Sequence, residues 1–168
     1  MRAKDVIVIL DCGSQYTQLI ARRVRELKVY SEILPWDASL EEIRSKNPKG
    51  IIISGSPKSI LSPGSPVISE ELLDLGIPVL GICYGMQLLS HLLGGQVGKV
   101  GLAEYGRACI DIQEGGQSLF KGLPKQFNVW MSHGDTVINL PPNAQVLAKS
   151  ECGLIAAMAV EDKQIFGL

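Results

Sequence analysis

The ten residues Pro78-Val79-Leu80-Gly81-Ile82-Cys83-Tyr84-Gly85-Met86-Gln87 constrain the chain most. Val79, Leu80 and Ile82 form a short apolar run opened by a proline, the pattern of a buried strand. Beyond Cys83, residues Met86, Leu88, Leu89, Leu92 and Leu93 supply an apolar helical face that Gly94-Gly95 ends. Cys83 stands at the junction with a glycine two residues away on either side, a G-x-C-x-G nucleophile elbow in thiol form. So sharp a strand-to-helix turn predicts strained backbone at the cysteine and close chain approach that only glycine permits. It also puts the sulfur at a helix N-terminus, where the macrodipole is expected to favour thiolate, and aims the Tyr84 N–H at any oxyanion formed there. A small thiol buried for packing alone would give the same local pattern.

Around this stretch the first half alternates strand and helix patterns. Strands are predicted over 5–11, 29–34 and 50–54, and helices over about 16–27, from the Ser39-Leu-Glu-Glu42 capping box to Ser45, and near 67–75. In the first helix Leu19, Ile20, Val24 and Leu27 are read as the inward face. Such alternation implies an α/β fold with an open, mostly parallel doubly wound sheet of flavodoxin-like type. Sites in these sheets lie at the carboxyl ends of the strands, where Asp11-Cys12-Gly13, Gly55-Ser56 and Cys83 all fall. The second half reads as short strands, at 96–100, 106–112, 127–131, 136–139, 145–149, 154–160 and 164–168, punctuated by Gly115-Gly116 and Pro141-Pro142. These are expected to form an antiparallel extension of the main sheet.

Composition narrows the function classes. The chain has 168 residues, 46% of them hydrophobic and 20% charged, with a net charge of −1. One domain of this size buries roughly 70% of its unfolded surface. The near-neutral balance argues against a nucleic-acid partner, and no run is long enough to span a membrane, so a cytoplasmic location is expected. Cys12, Cys83, Cys109 and Cys152 are widely spaced and only His91 and His133 could join them, so no metal site is expected. His91 lies eight helical residues from Cys83, about 12 Å along the axis and beyond reach of the sulfur. His133, in Trp130-Met-Ser-His-Gly-Asp135, is either a general base for Cys83 or a rim residue. Asp11-Cys-Gly-Ser-Gln15 could be a phosphate loop, although it lacks G-x-G-x-x-G and a Walker lysine. Ser54-Gly-Ser-Pro57 is either a tight turn or half of an oxyanion hole.

Taken together, Gly81-Ile-Cys-Tyr-Gly-Met-Gln87, Ser54-Gly-Ser-Pro57 and Trp130-Met-Ser-His-Gly-Asp135 resemble the class I (triad) glutamine amidotransferases. The opening Leu10-Asp-Cys-Gly-Ser-Gln-Tyr-Thr-Gln-Leu-Ile-Ala-Arg-Arg-Val-Arg-Glu26 and Ala103-Glu-Tyr-Gly106 resemble, within that family, the amidotransferase domain of GMP synthetases. The likeness covers essentially the whole chain. It implies that Cys83 is the nucleophile that attacks the glutamine side-chain amide. Ser56 and Tyr84 would give oxyanion-hole N–H groups, and Gly55, Gln87, Ser132, Gly134 and Asp135 would bind glutamine. The domain itself would need no cofactor. Ammonia would pass to an ATP pyrophosphatase (synthetase) domain, fused or separate, that uses ATP and Mg to aminate XMP to GMP.

The sequence departs from the family pattern in two places. Ser56 stands where the family has a second glycine. The family's catalytic histidine and glutamate, in a Phe-His-Pro-Glu stretch after a strand like 164–168, are not in this chain. The expectation is a C-terminally truncated amidotransferase domain spanning 1–168, without the synthetase domain, reactive at Cys83 but hydrolysing glutamine weakly or not at all. Residues 164–168 would then be a truncated edge strand that lowers stability. The alternatives are an amidotransferase of another pathway (anthranilate, carbamoyl phosphate or CTP), an unrelated elbow-cysteine hydrolase, and a non-catalytic module of the same fold.

Overall fold

A computed structural model describes residues 5–101, 104–114 and 116–168. Ala103 and Gly115, both singled out in the sequence, lie outside the described residues. The first half runs β1 (Val6–Asp11), α1 (Thr17–Glu26), β2 (Tyr30–Pro35), α2 (Leu40–Ser45), β3 (Gly50–Ile53), β4 (Val79–Gly81) and α3 (Tyr84–Leu92). The second adds β5 (Gln96–Gly98), β6 (Glu104–Ile112), α4 (Gln117–Phe120), β7 (Gln126–His133), β8 (Thr136–Asn139), β9 (Gln145–Ser150), β10 (Ile155–Val160) and β11 (Ile165–Gly167). Among the described residues no helix is long and apolar enough to cross a membrane.

The main sheet has nine strands in the order β2-β1-β3-β4-β11-β10-β9-β6-β7. The run from β2 through β11 is parallel and the rest antiparallel. The parallel half has the reversal of strand order typical of flavodoxin-like sheets. β5 and β8 depart from the expected extension, pairing with each other as a separate two-stranded ribbon.

Other expectations change in physically instructive ways. Residues 67–75 do not form an α-helix; only Glu70–Asp74 coil, as a 3-10 turn. Pro66, Gly76 and Pro78 leave no room for a second turn, and no Ser69 side-chain cap opens one. In α1 the buried residues are Thr17 and Ala21, with Ile20 and Val24 half-buried. Leu19 and Leu27, read as inward, are 44% and 78% exposed. Positions 17, 20, 21 and 24 share one stripe, and neither leucine lies on it. Arg22 and Arg23 instead reach Glu26 on the solvent face.

The last strand is the largest revision. β11 is not an edge: it sits between β4 and β10, parallel to the first and antiparallel to the second. A tight turn at Glu161–Lys163 folds β11 back along β10, so both its edges are paired. β10 divides its side chains between the two layers. Met158 and Val160 join the large cluster with Val8, Leu10, Ile53 and Leu88, while Ala157 and Ala159 join Ile110, Phe120 and Leu147.

Candidate active site

The elbow forms as the sequence requires. Cys83 has φ 54° and ψ −105°, in the half of backbone space that residues with a Cβ avoid. A Cβ on Gly81 would overlap the Gly85 carbonyl, and one on Gly85 would overlap the Ile53 carbonyl. The turn is held on both flanks: Ile82 N–H donates to Ile53 O at 2.9 Å, and Leu168 N–H donates to Gly81 O at 2.9 Å. Strain at the cysteine is thus imposed by two neighbouring strands.

Cys83 opens onto a cleft of about 820 Å³ at the carboxyl ends of β1, β3 and β4, within the range of small-molecule sites. Gly13 to Tyr16, Gly55 to Ser59 and Ser132 to Asp135 form its other walls. The sulfur lies 3.8 Å from the Ser132 carbonyl oxygen, the acceptor for its S–H. Opposite, the Gln87 side-chain N–H donates to Asp135 O at 2.8 Å. Gln87 and Asp135 are both buried, so this bond fixes the floor of the cleft. Gly55 packs against Cys83, where an added Cβ would sit 3.8 Å from the cysteine Cβ. The structure therefore gathers Cys83, Tyr84, Gly55, Ser56, Gln87, Ser132, Gly134 and Asp135, from three separated stretches, around one cleft. An apolar cavity of about 300 Å³ adjoins it, with Phe127, Val129, Met131, Ile155 and Leu168 among its walls.

Ser56 fills its position without a positive φ, so replacing a glycine there strains nothing. Its hydroxyl accepts the Lys58 N–H at 3.2 Å and is turned back into its own loop.

The charge state of the sulfur differs from expectation. Burial pushes the Cys83 thiol above its ordinary value, and the Tyr84 backbone N–H pulls the other way without overcoming it. At neutral pH the sulfur keeps its proton. The helix N-terminus therefore does not by itself produce a thiolate, and a base must take the proton.

His133 does not supply that base here. Its Nε2 lies 3.2 Å from Glu104 Oε2. Among the described residues the sulfur's polar contacts are the Ser132 carbonyl and the Tyr84 N–H. His91 is exposed on the far part of α3. The loop after β1 is not a phosphate cradle either. Gly13 N–H donates to the Asp11 carboxylate, Tyr16 N–H to the Ser14 hydroxyl and Cys12 N–H to the Ser54 hydroxyl. Those donors are consumed within the fold. Ser54 belongs to the Ser54-Gly-Ser-Pro57 turn, but its side-chain role of receiving the Cys12 N–H has no sequence signal, and Glu104 has none beyond the resemblance segment that contains it.

The family model "Glutamine amidotransferase class-I" matches residues 8–168. A "GMP synthase [glutamine-hydrolyzing]" from Lactobacillus acidophilus is 51% identical over 98% of the chain, and one from Campylobacter lari is 52% identical over all of it. The chain spans about a third of each relative's length, 32% in both cases. Among solved structures, a Thermoplasma acidophilum protein provisionally described as one component of a GMP synthase superposes with a TM-score of 0.80 at 29% identity. That match covers 99% of this chain and 83% of the other.

Proposed function

The chain is a member of the class-I glutamine amidotransferase family, and from that premise we propose that Cys83 releases ammonia from glutamine. The sulfur attacks the side-chain carbonyl carbon, and the carbonyl oxygen becomes an oxyanion received by the Tyr84 and Ser56 N–H groups. The C–N bond then breaks. The thiol proton, carried by a base, goes to the departing nitrogen, which leaves as ammonia. Water adds to the γ-glutamyl thioester, the C–S bond breaks, and the hydrogen returned to sulfur restores the thiol beside free glutamate. Gly55, Gln87, Ser132, Gly134 and Asp135 shape the glutamine pocket.

The observation that carries this reading is the position of Cys83: at positive φ, between two glycines that admit no side chain, with its sulfur on the wall of an open cleft. The raised thiol pKa supports a further part of it. Among the described residues no side-chain base contacts the sulfur, whose polar partners are the Ser132 carbonyl and the Tyr84 N–H, and the Leu168 carbonyl on the Cys83 N–H puts the end of β11 beside the elbow. We read the chain as the amidotransferase part of a larger enzyme, a reading supported by relatives of which it spans about a third. The ammonia would be used by a synthetase domain with ATP and magnesium to convert XMP to GMP, a reading supported by relatives about half identical that carry the GMP synthase name.

Glutamate release is the test, measured for this chain and for the chain extended through the following ~20 residues, about one strand and turn. Losing a base and its carboxylate typically costs several orders of magnitude, so the extended protein should be faster by at least ~1,000-fold. Equal rates would overturn the assignment of the base. Failure of a glutamine-mimicking electrophile to label Cys83 in either protein would overturn the assignment of the substrate.

A further inference from the structure

His133 sits between two carbonyls that shape the cleft. The carbonyl of Ser132, one residue before it, faces the Cys83 sulfur at 3.8 Å. The carbonyl of Asp135, two residues after it, takes the Gln87 amide at 2.8 Å. His133 and Glu104 are register partners at the last rung of the β6–β7 ladder. Among the described residues this rung is the one nearest Gly134 and Asp135, so what holds it bears on their aim.

That rung is unlike its neighbours. On the same face of β6 the next rungs are Gly106 with Met131 and Ala108 with Val129, none of which is charged. Glu104 is only 8% exposed, and its Oε2 is on the His133 ring at 3.2 Å. Its Oε1 is buried with no hydrogen-bond partner among the described residues. Burying a carboxylate with one oxygen unmet is costly, and a hairpin that needed only cross-strand packing would be better served by an apolar pair. The cost falls on the residue paired with His133, in the middle of the segment that carries the Ser132 and Asp135 carbonyls.

We infer that Glu104 is a positioning residue for the glutamine pocket, acting through His133 to hold the Ser132 and Asp135 carbonyls on station. The inference deepens the glutamine reading and rests on it. The segment is held from two sides, by Glu104 through His133 and by Gln87 through Asp135.

Protection of Cys83 from iodoacetamide by glutamine tests it on the chain as it stands. Two quantities are read: the alkylation rate without glutamine, and the glutamine concentration that halves it. Glu104→Ala and His133→Ala should each raise the half-protecting concentration about tenfold, as expected when one partner of a buried pair is lost. The double variant should add less than about threefold to either single one, because both break one link. Glu104→Gln, which keeps an acceptor, should stay within about threefold of the unaltered chain. The alkylation rate of the buried Cys12, read alongside, should change by less than about twofold throughout, whereas general loosening of the fold would raise it. If Glu104→Ala does not fold, His133→Asn, which removes Nε2, carries the same expectation. Absence of any protection in the unaltered chain defeats the glutamine reading itself. Protection that is intact in Glu104→Ala, or lost together with a raised Cys12 rate, defeats the positioning role.

Discussion

The backbone N–H of Cys83 donates to the carbonyl of Leu168 at 2.6 Å. The bond joins the elbow to the end of β11, which the topology has inserted beside β4. The strained turn is thus locked between β3 on one side and β11 on the other, and the consequences can be measured.

The elbow glycines should tolerate no methyl group. At Gly85 an added Cβ overlaps the Ile53 carbonyl, which is backbone and cannot rotate away. Gly85→Ala should cost about 3 kcal/mol, at the upper end for overpacking a tight site. Urea unfolding, read as a shift in midpoint at constant m-value, checks it.

Strain at Cys83 predicts a trade between stability and reactivity. Holding a side chain at φ 54° costs on the order of 1–3 kcal/mol. Cys83→Gly should recover part of this and raise stability by about 1 kcal/mol, while abolishing labelling by a glutamine-mimicking electrophile. Thermal melts of the two proteins should move in opposite order to their reactivity.

Gln87 braces the cleft floor. Gln87→Leu would leave the Asp135 carbonyl without its 2.8 Å partner in a buried site, at a cost of about 1–3 kcal/mol. Glutamine protection of Cys83 should weaken in parallel. A variant with unchanged melting and unchanged protection would show that the bond holds nothing.

High pH should unfold the chain through buried acids. Burial, helped by the Asp11 charge and opposed by a Ser54 hydrogen bond, raises the Cys12 thiol from 9.0 to about 12. Burial likewise raises the Tyr84 hydroxyl from 10.0 to about 12, with the Cys12 charge adding to it and a Ser65 hydrogen bond opposing. For both groups the folded state holds the proton longer than the unfolded chain. Their contribution is therefore whole below pH 9 and is lost as pH rises from about 9 to 12. For Cys12 the loss is at most roughly 4 kcal/mol. Denaturant midpoints measured from pH 7 to 11 should fall, and Cys12→Ala should flatten the fall.

Much of this architecture was legible because local pattern and topology agreed. Val79, Leu80 and Ile82 followed by Cys83 between two glycines specify a strand, a bend and a helix without outside help. What could not be read depended on distant register. Leu19 and Leu27 look like core residues, and only the actual face of α1 shows that Thr17 and Ala21 take that place. β11 reads as a last strand and therefore as an edge, because nothing in Ile165–Gly167 says that it returns between β4 and β10. The pairing of Glu104 with His133 follows from a ladder whose register is set along all of β6 and β7. The charge state of Cys83 followed from local dipole reasoning only as far as the Tyr84 N–H; the burial that outweighs it is a property of the assembled fold.

A sulfur that stays protonated until a partner draws the proton away is also hard for other reagents to notice. Peroxides and stray electrophiles react with thiolates, so raising the Cys83 thiol slows both reactions although the residue lines an open cleft. The group that draws the proton away would therefore set the pace of side reactions along with that of the main one.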